Sequence, residues 1–265
     1  MIRNLGANKI LWLLNAFLSL IVALIGVLNP DIYSEVVSRQ ILPGVLSQDL
    51  LTIFAAIVLL FFTIGMKEED AKKQIAILGI LGYLFYAYGI YAIERVYNVL
   101  YFLYLAIFGL SFYSIVYGVA SIRPEILEEV ELRDPIRKIS VGFSLFVAIL
   151  FSILWIVMLV PIIQAGQRIE FTYSIFILDL SFIMPAFFIL AGMTAKKRRL
   201  GLVLTPALYV LGFTLLFPVG LGEFIKPFYN LPIDPFGVVL YLGIAALFLV
   251  LAVIYLRDLR INDTH

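Results

Sequence analysis

The chain contains no cysteine, and its 265 residues include only one histidine, His265. Without cysteine it can form no disulfide, no thiolate metal site and no thiol redox couple. A lone histidine argues against haem ligation by histidine and against zinc sites built from histidine and cysteine. We therefore expect neither a metal site nor a cofactor.

Motifs of well-known enzymes and nucleotide-binding proteins are also lacking. There is no P-loop, no Gly-x-Ser-x-Gly and no His-Glu-x-x-His, and the stretch VGLGEF at 219–224 has only two spaced glycines. No lysine lies inside a predicted membrane span, which excludes a retinal Schiff base. Basic residues occur in loop clusters, so nucleic acid is not an expected partner.

Charge is scarce, and apolar residues dominate. Charged residues make up 14% of the chain, hydrophobic residues 63%, and the mean hydropathy is +1.07. In water this composition would expose large contiguous apolar patches, whereas about 20 apolar residues in a helix span a bilayer. The eight apolar runs are 10–28, 49–66, 74–93, 98–122, 140–164, 172–195, 200–222 and 236–256. Because helices satisfy their own backbone groups in lipid, we predict an all-α polytopic membrane helix bundle.

The distribution of lysine and arginine predicts the orientation of the bundle. Eight spans place both termini on one side, and 15 of the 19 basic residues lie on that side. Cytoplasmic loops of membrane proteins carry an excess of lysine and arginine. We therefore expect a multi-pass protein of the cytoplasmic membrane with both termini in the cytoplasm.

The two halves of the chain share a sequence of boundary residues in the same order, which predicts an internal repeat. The matched residues lie 124 to 132 positions apart and include Asp49 with Asp179, Gly65-Met66 with Gly192-Met193, Ala71-Lys72-Lys73 with Ala195-Lys196-Lys197, Glu94 with Glu223, and Tyr97-Asn98 with Tyr229-Asn230. The prediction is a first four-helix unit in residues 1–122, a cytoplasmic connector at 123–138 and a second unit in residues 139–265. Four helices is an even number, so the two units share one orientation and are related by an axis along the membrane normal.

Small residues recur at every fourth position on two predicted helices. They are Asn15, Ser19 and Ala23 on the first helix, and Ser140, Ser144, Ala148 and Ser152 on the fifth. Such stripes let membrane helices approach closely, so we interpret both as packing surfaces. In the repeat these two helices are equivalent, which would allow them to meet at the axis.

Polar residues at the side opposite the termini form the candidate site. Eight acidic residues are assigned to that side, against four basic ones: Asp31, Glu35, Asp49, Glu94, Glu170, Asp179, Glu223 and Asp234. Charged groups at membrane depth usually face a cavity or a partner, and tyrosines two turns inside a span need a hydrogen-bond partner. The candidate ligand-binding residues are Asp49, Glu94, Arg95, Asn98, Asp179, Glu223, Asn230, Tyr86 and Tyr104.

Structural roles compete with ligand binding at these positions. Asp49 and Asp179 could cap the N-termini of their helices, and Glu94 could form an ion pair with Arg95. Paired carboxylates could also bind a cation or relay protons. The tyrosine hydroxyls either line a pocket that opens outward or join helices by hydrogen bonds.

Two stretches resemble a family of prokaryotic multi-pass membrane proteins of uncharacterised function. They are SQDLLTIFAAIVLLFF with the following GYLFYAYG and YNVLYF, and LDLSFIMPAFFILAG followed by KKRRLG. The resemblance covers about half of the chain. It implies a prokaryotic cytoplasmic-membrane protein and no particular activity.

Three classes of function remain open at this stage. The leading hypothesis is a protein, not an enzyme, that binds or transports a small molecule or ion in an outward-facing cavity between the two units. The second is an intramembrane enzyme that acts on lipid head groups and uses Asp49, Asp179 or Glu94 as acid or base. The third is a sensor or an assembly subunit, whose partner would be another membrane protein or a second copy in the lipid bilayer.

Overall fold

A computed structural model describes residues 1–127, 130–166, 168–169 and 172–261. Eight helical spans in this part of the chain are long and apolar enough to cross a membrane. The helices are α1 Leu5–Leu28, α2 Leu42–Ile64, α3 Ala71–Ile93, α4 Tyr101–Ala120, the short α5 Pro124–Leu127, α6 Asp134–Gln164, α7 Tyr173–Leu178, α8 Met184–Ala195, α9 Arg199–Ile225 and α10 Pro235–Asp258. The predicted all-α polytopic bundle is confirmed, and the chain is an integral membrane protein.

Prolines mark the beginnings of several of these helices. Pro43 lies in the first turn of α2, Pro135 in the first turn of α6, and α10 begins at Pro235. The missing N–H of proline costs no intrahelical hydrogen bond at such positions. Because α2 begins at Leu42 and not at residue 49, as we had predicted, Asp49 lies two turns inside the helix.

The sixth span is one helical run interrupted by a π-helical segment. Residues Asp179–Ile183 join α7 to α8 as a π-helix, in which the Met184 N–H donates to the Asp179 carbonyl. Pro185 follows at once, and a proline has no N–H for the carbonyl four residues before it. Wider π-helical turns often occur at functional sites in membrane and soluble helices. Here the segment places the Asp179 side chain inside the bundle, where it is 6% exposed.

Helices α3 and α9 form the centre of the bundle. They contact each other, and α3 also packs on α4 while α9 packs on α10 and α2. In the most apolar stretch of α3, 78% of the residues are buried, against 11% in that of α6. The repeat would have allowed α1 and α6 to meet at the axis. In the structure the central pair is α3 and α9 instead. Apolar residues on the outer helix faces, such as Phe61, Phe102 and Val239, are exposed as a lipid-facing surface requires.

Short contacts join the segments at one end of the bundle, which we call the terminal end (residues 1–4, 65–70, 121–127, 130–133, 196–198 and 259–261). Ile2 forms a β-bridge with Ile122, and the strand β1 Val130–Glu131 pairs antiparallel with β2 Arg260–Ile261. An ion pair of 2.8 Å joins Arg3 to Glu125. The described residues of the predicted connector 123–138 begin here, but its last five residues belong to α6, because that helix begins at Asp134.

The other end, which we call the far end, consists of residues 29–41, 94–100, 165–166, 168–169, 172 and 226–234. Its longest segment, 29–41, contains a 3₁₀ turn at Pro30–Tyr33. The Tyr173 hydroxyl at the start of α7 donates to the Ile93 carbonyl at the end of α3, 2.5 Å away. The sequence placed the acidic candidates at this end.

Candidate functional site

A cavity of about 440 Å³ reaches from the far end into the middle of the bundle. Its walls come from both halves of the chain, because α2, α3, α6, α7, α8, α9 and the segment 29–41 all contribute. From Glu94 at the end of α3 to Tyr83 near the floor is 11 residues, or about 16 Å of helix. The cavity therefore extends about half-way through a hydrocarbon layer of about 30 Å.

Asp179 lies on the cavity wall and accepts a hydrogen bond from an aromatic side chain. The Trp155 indole Nε1 of α6 donates to Asp179 Oδ2 over 2.7 Å. The Tyr86 hydroxyl of α3 lies close to this carboxylate. Asp179 lies inside the sixth span and not at its first residue, so the N-cap alternative is wrong for it. Among the described residues no lysine or arginine forms an ion pair with it.

Glu94, the second acid on the wall, is held at one oxygen only. Its Oε1 accepts from the Ser174 backbone N–H at 2.8 Å and from the Ser174 hydroxyl at 2.5 Å. Its Oε2 is buried and has no hydrogen-bond partner among the described residues. The neighbouring Arg95 is exposed in a left-handed turn, with φ of 57°. The predicted ion pair between Glu94 and Arg95 is absent from the described part of the chain.

Glu223, the third acid on the wall, already has a cationic partner. Lys226 Nζ, which also lines the cavity, lies 2.6 Å from Glu223 Oε1. Glu223 Oε2 accepts the Asp234 backbone N–H at 2.9 Å. Asn230 lies in the turn that follows, with φ of 57°, and does not belong to the cavity wall. The charge of Glu223 is therefore largely compensated inside the protein.

Asp49 lies behind the cavity wall, in a cluster of tyrosines. It is 1% exposed and accepts from the Tyr33 hydroxyl at 2.7 Å and from the Tyr91 hydroxyl at 3.0 Å. Tyr91 is also a wall residue, so its ring lies between Asp49 and the cavity. Gly26 of α1 makes room for this arrangement, because a β-carbon there would overlap Asp49 Oδ2. The N-cap alternative is wrong for Asp49 as well.

Tyr104 and Asn98 belong to the same cluster and not to the cavity. The Asn98 side-chain amide donates to the Tyr104 hydroxyl at 3.0 Å, and its Oδ1 accepts the Leu100 backbone N–H at 3.0 Å. The rings of Tyr91 and Tyr104 lie 4.8 Å apart. The Tyr104 hydroxyl is therefore held within its own segment, whereas the Tyr91 hydroxyl joins α3 to α2 through Asp49.

The structure thus divides the nine candidate residues into two groups. Glu94, Asp179, Glu223 and Tyr86 line the cavity, whereas Asp49, Asn98, Tyr104, Arg95 and Asn230 do not. Glu170, one of the eight acids assigned to this side, lies outside the described residues. Sequence reasoning missed Trp155, Ser174 and Tyr33, which hydrogen-bond the acids. Trp155 and Ser174 lie on other spans than their partners and Tyr33 lies in a loop, so no sequence spacing connects these residues to the acids.

Aromatic rings close the inner end of the cavity. Phe187 and Phe248 line the floor and are 1% and 2% exposed. Tyr209 and Tyr255 lie beneath them. The Tyr209 ring is 6.2 Å from the Phe248 ring and 6.0 Å from the Tyr255 ring. Both tyrosines are fully buried. The protein is therefore closed on the terminal side of the cavity.

A second cavity, of about 460 Å³, lies at the terminal end. Its wall includes Arg133, Arg137 and Lys197, but these cations are already paired. Arg133 forms an ion pair with Asp258, and Arg137 and Lys197 both pair with Asp134. The wall also contains Arg199 and Arg260, and its acids are Glu131 and Asp258, so positive charge predominates there.

Neither a metal centre nor a known relative guides the interpretation of the site. The described residues contain no group of three or more histidine, cysteine, aspartate or glutamate side chains that could hold a metal ion. Comparison of the chain with protein-family models, with curated proteins and with solved structures finds no match.

Proposed function

We propose that this integral membrane protein binds a small molecule in the cavity at its far end. The supporting observation is the cavity itself, whose volume of about 440 Å³ lies in the range of small-molecule sites, roughly 300–1,000 Å³. Such sites have mostly apolar walls with a few convergent polar groups. Here apolar side chains surround the Asp179 carboxylate and the Tyr86 hydroxyl.

The position of the cavity also favours transport of the bound molecule. It lies between helices of both halves of the chain, and transporters place their sites at the interface between repeated halves. The aromatic rings of Phe187, Phe248 and Tyr209 separate it from the terminal end. In a transport cycle these rings would move, and this conformation would be the one open at the far end.

We further propose that the protein lies in the cytoplasmic membrane of a prokaryote, with the terminal end in the cytoplasm. The excess of lysine and arginine at the terminal end supports this orientation. The cavity would then open away from the cytoplasm. Chemical labelling from one side of the membrane tests the orientation.

Ligand-induced stabilisation of the purified protein tests the binding function. A ligand that binds only the folded state at 100 times its Kd stabilises it by about 2.7 kcal/mol. Leu215 lines the cavity, so Leu215→Trp should fill it and abolish stabilisation by every compound that stabilises the wild type. The matched control is Leu105→Trp, at an exposed position of α4 outside the cavity wall. This control should respond as the wild type does.

The screen uses cations, anions and neutral solutes with the protein in bilayer nanodiscs. The proposal is contradicted if Leu215→Trp remains folded and every stabilising compound acts on it as on the wild type. Compounds that stabilise the wild type but not Leu215→Trp are then tested for counterflow in proteoliposomes. Binding without flux would retain the binding function and reject transport.

A further inference from the structure

The wall of the far-end cavity contains more negative than positive charge. Glu94, Asp179 and Glu223 line it, and Lys226 is the one cationic side chain of the described wall. Lys226 pairs with Glu223 at 2.6 Å. Glu94 and Asp179 are left without an ion pair in the described part of the chain.

The contacts of these two acids provide hydrogen bonds but no positive charge. Asp179 accepts a hydrogen bond from Trp155 and lies close to the Tyr86 hydroxyl, and Glu94 accepts from Ser174; all three are neutral groups. A carboxylate removed from water is costly unless a cation compensates it. Glu94 Oε2, which is buried without a hydrogen-bond partner among the described residues, shows where the compensation is least complete.

Both acids contact the same helix, so a single ligand can reach them. Ser174, which holds Glu94, and Asp179 are five residues apart, or about 7.5 Å along the axis of the sixth span. The contacts Glu94–Ser174 and Tyr86–Asp179 both join α3 to the sixth span. The two carboxylates therefore belong to one side of the cavity.

The remaining wall selects between a metal ion and an organic cation. Small hard cations prefer several oxygen ligands, and the described residues contain no such cluster of acids. The wall instead presents the aromatic rings of Trp155, Tyr86 and Phe151 together with aliphatic side chains. Aromatic faces attract organic cations, and aliphatic side chains favour an apolar body.

We infer that the cavity binds a lipophilic organic cation, with the positive group between Glu94 and Asp179 and the apolar part against the inner wall. This inference rests on the proposed binding function and specifies the class of ligand. Neutral and anionic molecules of the same shape are disfavoured, because the two carboxylates remain uncompensated in their presence.

Fluorescence of Trp155 gives a direct test of occupancy of the cavity. The chain has two tryptophans, and the other, Trp12, is fully buried in α1. In a Trp12→Phe background, N-butylpyridinium, a cation that quenches indole emission on contact, reports on occupancy of the cavity. The protein is held in nanodiscs of zwitterionic lipid, and butylbenzene and 4-butylbenzoate serve as neutral and anionic competitors.

The expected result is saturable quenching that neither competitor reverses. Asp179→Asn and Glu94→Gln should each weaken binding about tenfold or more, because each removes one of the two compensating charges. Glu35→Gln, which changes an exposed acid outside the cavity wall, should retain wild-type affinity. If Asp179→Asn does not fold, the affinity of Glu94→Gln alone tests the inference.

Three outcomes would overturn the inference. Equal binding of all three probes, lost in Leu215→Phe, would retain the small-molecule site and reject the cationic class. Quenching that does not saturate, or that persists in Leu215→Phe, which narrows the cavity without adding a tryptophan, would mean that the cation only partitions into lipid. Wild-type affinity in folded Glu94→Gln and Asp179→Asn would show that the carboxylates do not select the ligand.

Discussion

The Tyr33 hydroxyl donates a hydrogen bond to the Asp49 carboxylate over 2.7 Å and so joins the far-end segment 29–41 to the inside of α2. The same segment contributes Val36, Val37 and Gln40 to the cavity wall. The buried acid that seemed from sequence to be a ligand is therefore a structural anchor of the wall. Its position inside a helix, behind the Tyr91 ring, explains why it does not reach the cavity.

We expect Tyr33→Phe to loosen this segment. A hydrogen bond to a charged group contributes about 1.5–3 kcal/mol, and its loss leaves a buried carboxylate oxygen without a donor. The apparent Tm should fall, and hydrogen exchange should quicken at the amides of residues 34–41. Tyr113→Phe, at an exposed position of α4, is the matched control and should leave both unchanged. Unchanged exchange in Tyr33→Phe would mean that other contacts hold the segment.

Alkaline pH should weaken the same anchor. Tyr33 lies outside the membrane-spanning helices, and burial raises its pKa above the ordinary tyrosine value of about 10, with the Asp49 charge raising it further. Above that value the unfolded chain releases the Tyr33 proton while the folded protein retains it, so stability falls as the pH rises. Tyr33→Phe should make this fall less steep in denaturation series between pH 8 and 11. A slope identical to that of the wild type would contradict the role of Tyr33.

Glycine at position 26 should be required for the same contact. A β-carbon at Gly26 would overlap Asp49 Oδ2 and lie 2.5 Å from the Tyr33 hydroxyl oxygen. Overpacking a filled interior costs about 1–3 kcal/mol, so Gly26→Ala should lower the apparent Tm. Gly6, in the same helix, has no atom within 4 Å of its β-carbon position. Gly6→Ala, in the first turn of α1, should leave the apparent Tm unchanged or raise it slightly through helix propensity, and equal effects of the two substitutions would contradict this explanation.

The sequence predicted the helices and the acidic end better than it predicted the contacts of the acids. Long apolar runs fix a span almost regardless of neighbours, since lipid leaves no alternative to a helix. The start of α2 was missed because LPGVLSQ is interrupted by polar residues, although Pro43 in its first turn marked it. The partnership of Trp155 with Asp179 depends on how α6 packs on the sixth span, and no spacing rule encodes that.

The absence of cysteine makes the orientation easy to measure. Glu35 and Glu69 are both exposed, the first at the far end and the second at the terminal end. In intact cells a membrane-impermeant maleimide should label Glu35→Cys directly and Glu69→Cys only after permeabilisation. The wild type, without cysteine, should remain unlabelled. Labelling in the reverse order would place the cavity on the cytoplasmic side.

Finally, we propose that residues 1–122 and 139–265 are two copies of one four-helix unit. The contacts support this: α1 packs on α2 as α6 packs on α8, and α3 packs on α4 as α9 packs on α10. If each unit folds as a body, a chain divided in the connector, as residues 1–127 and 128–265, should reassemble when both parts are expressed together.

The matched control divides the chain inside the second unit, between Lys197 and Arg198, where a tight turn joins α8 to α9. This cut separates helices of one unit and should reduce the yield of the assembled complex and its apparent Tm more than the cut in the connector does. Equal assembly after both cuts would indicate a bundle in which any helix pair can be separated. Failure after the connector cut alone would show that neither half folds without the other attached.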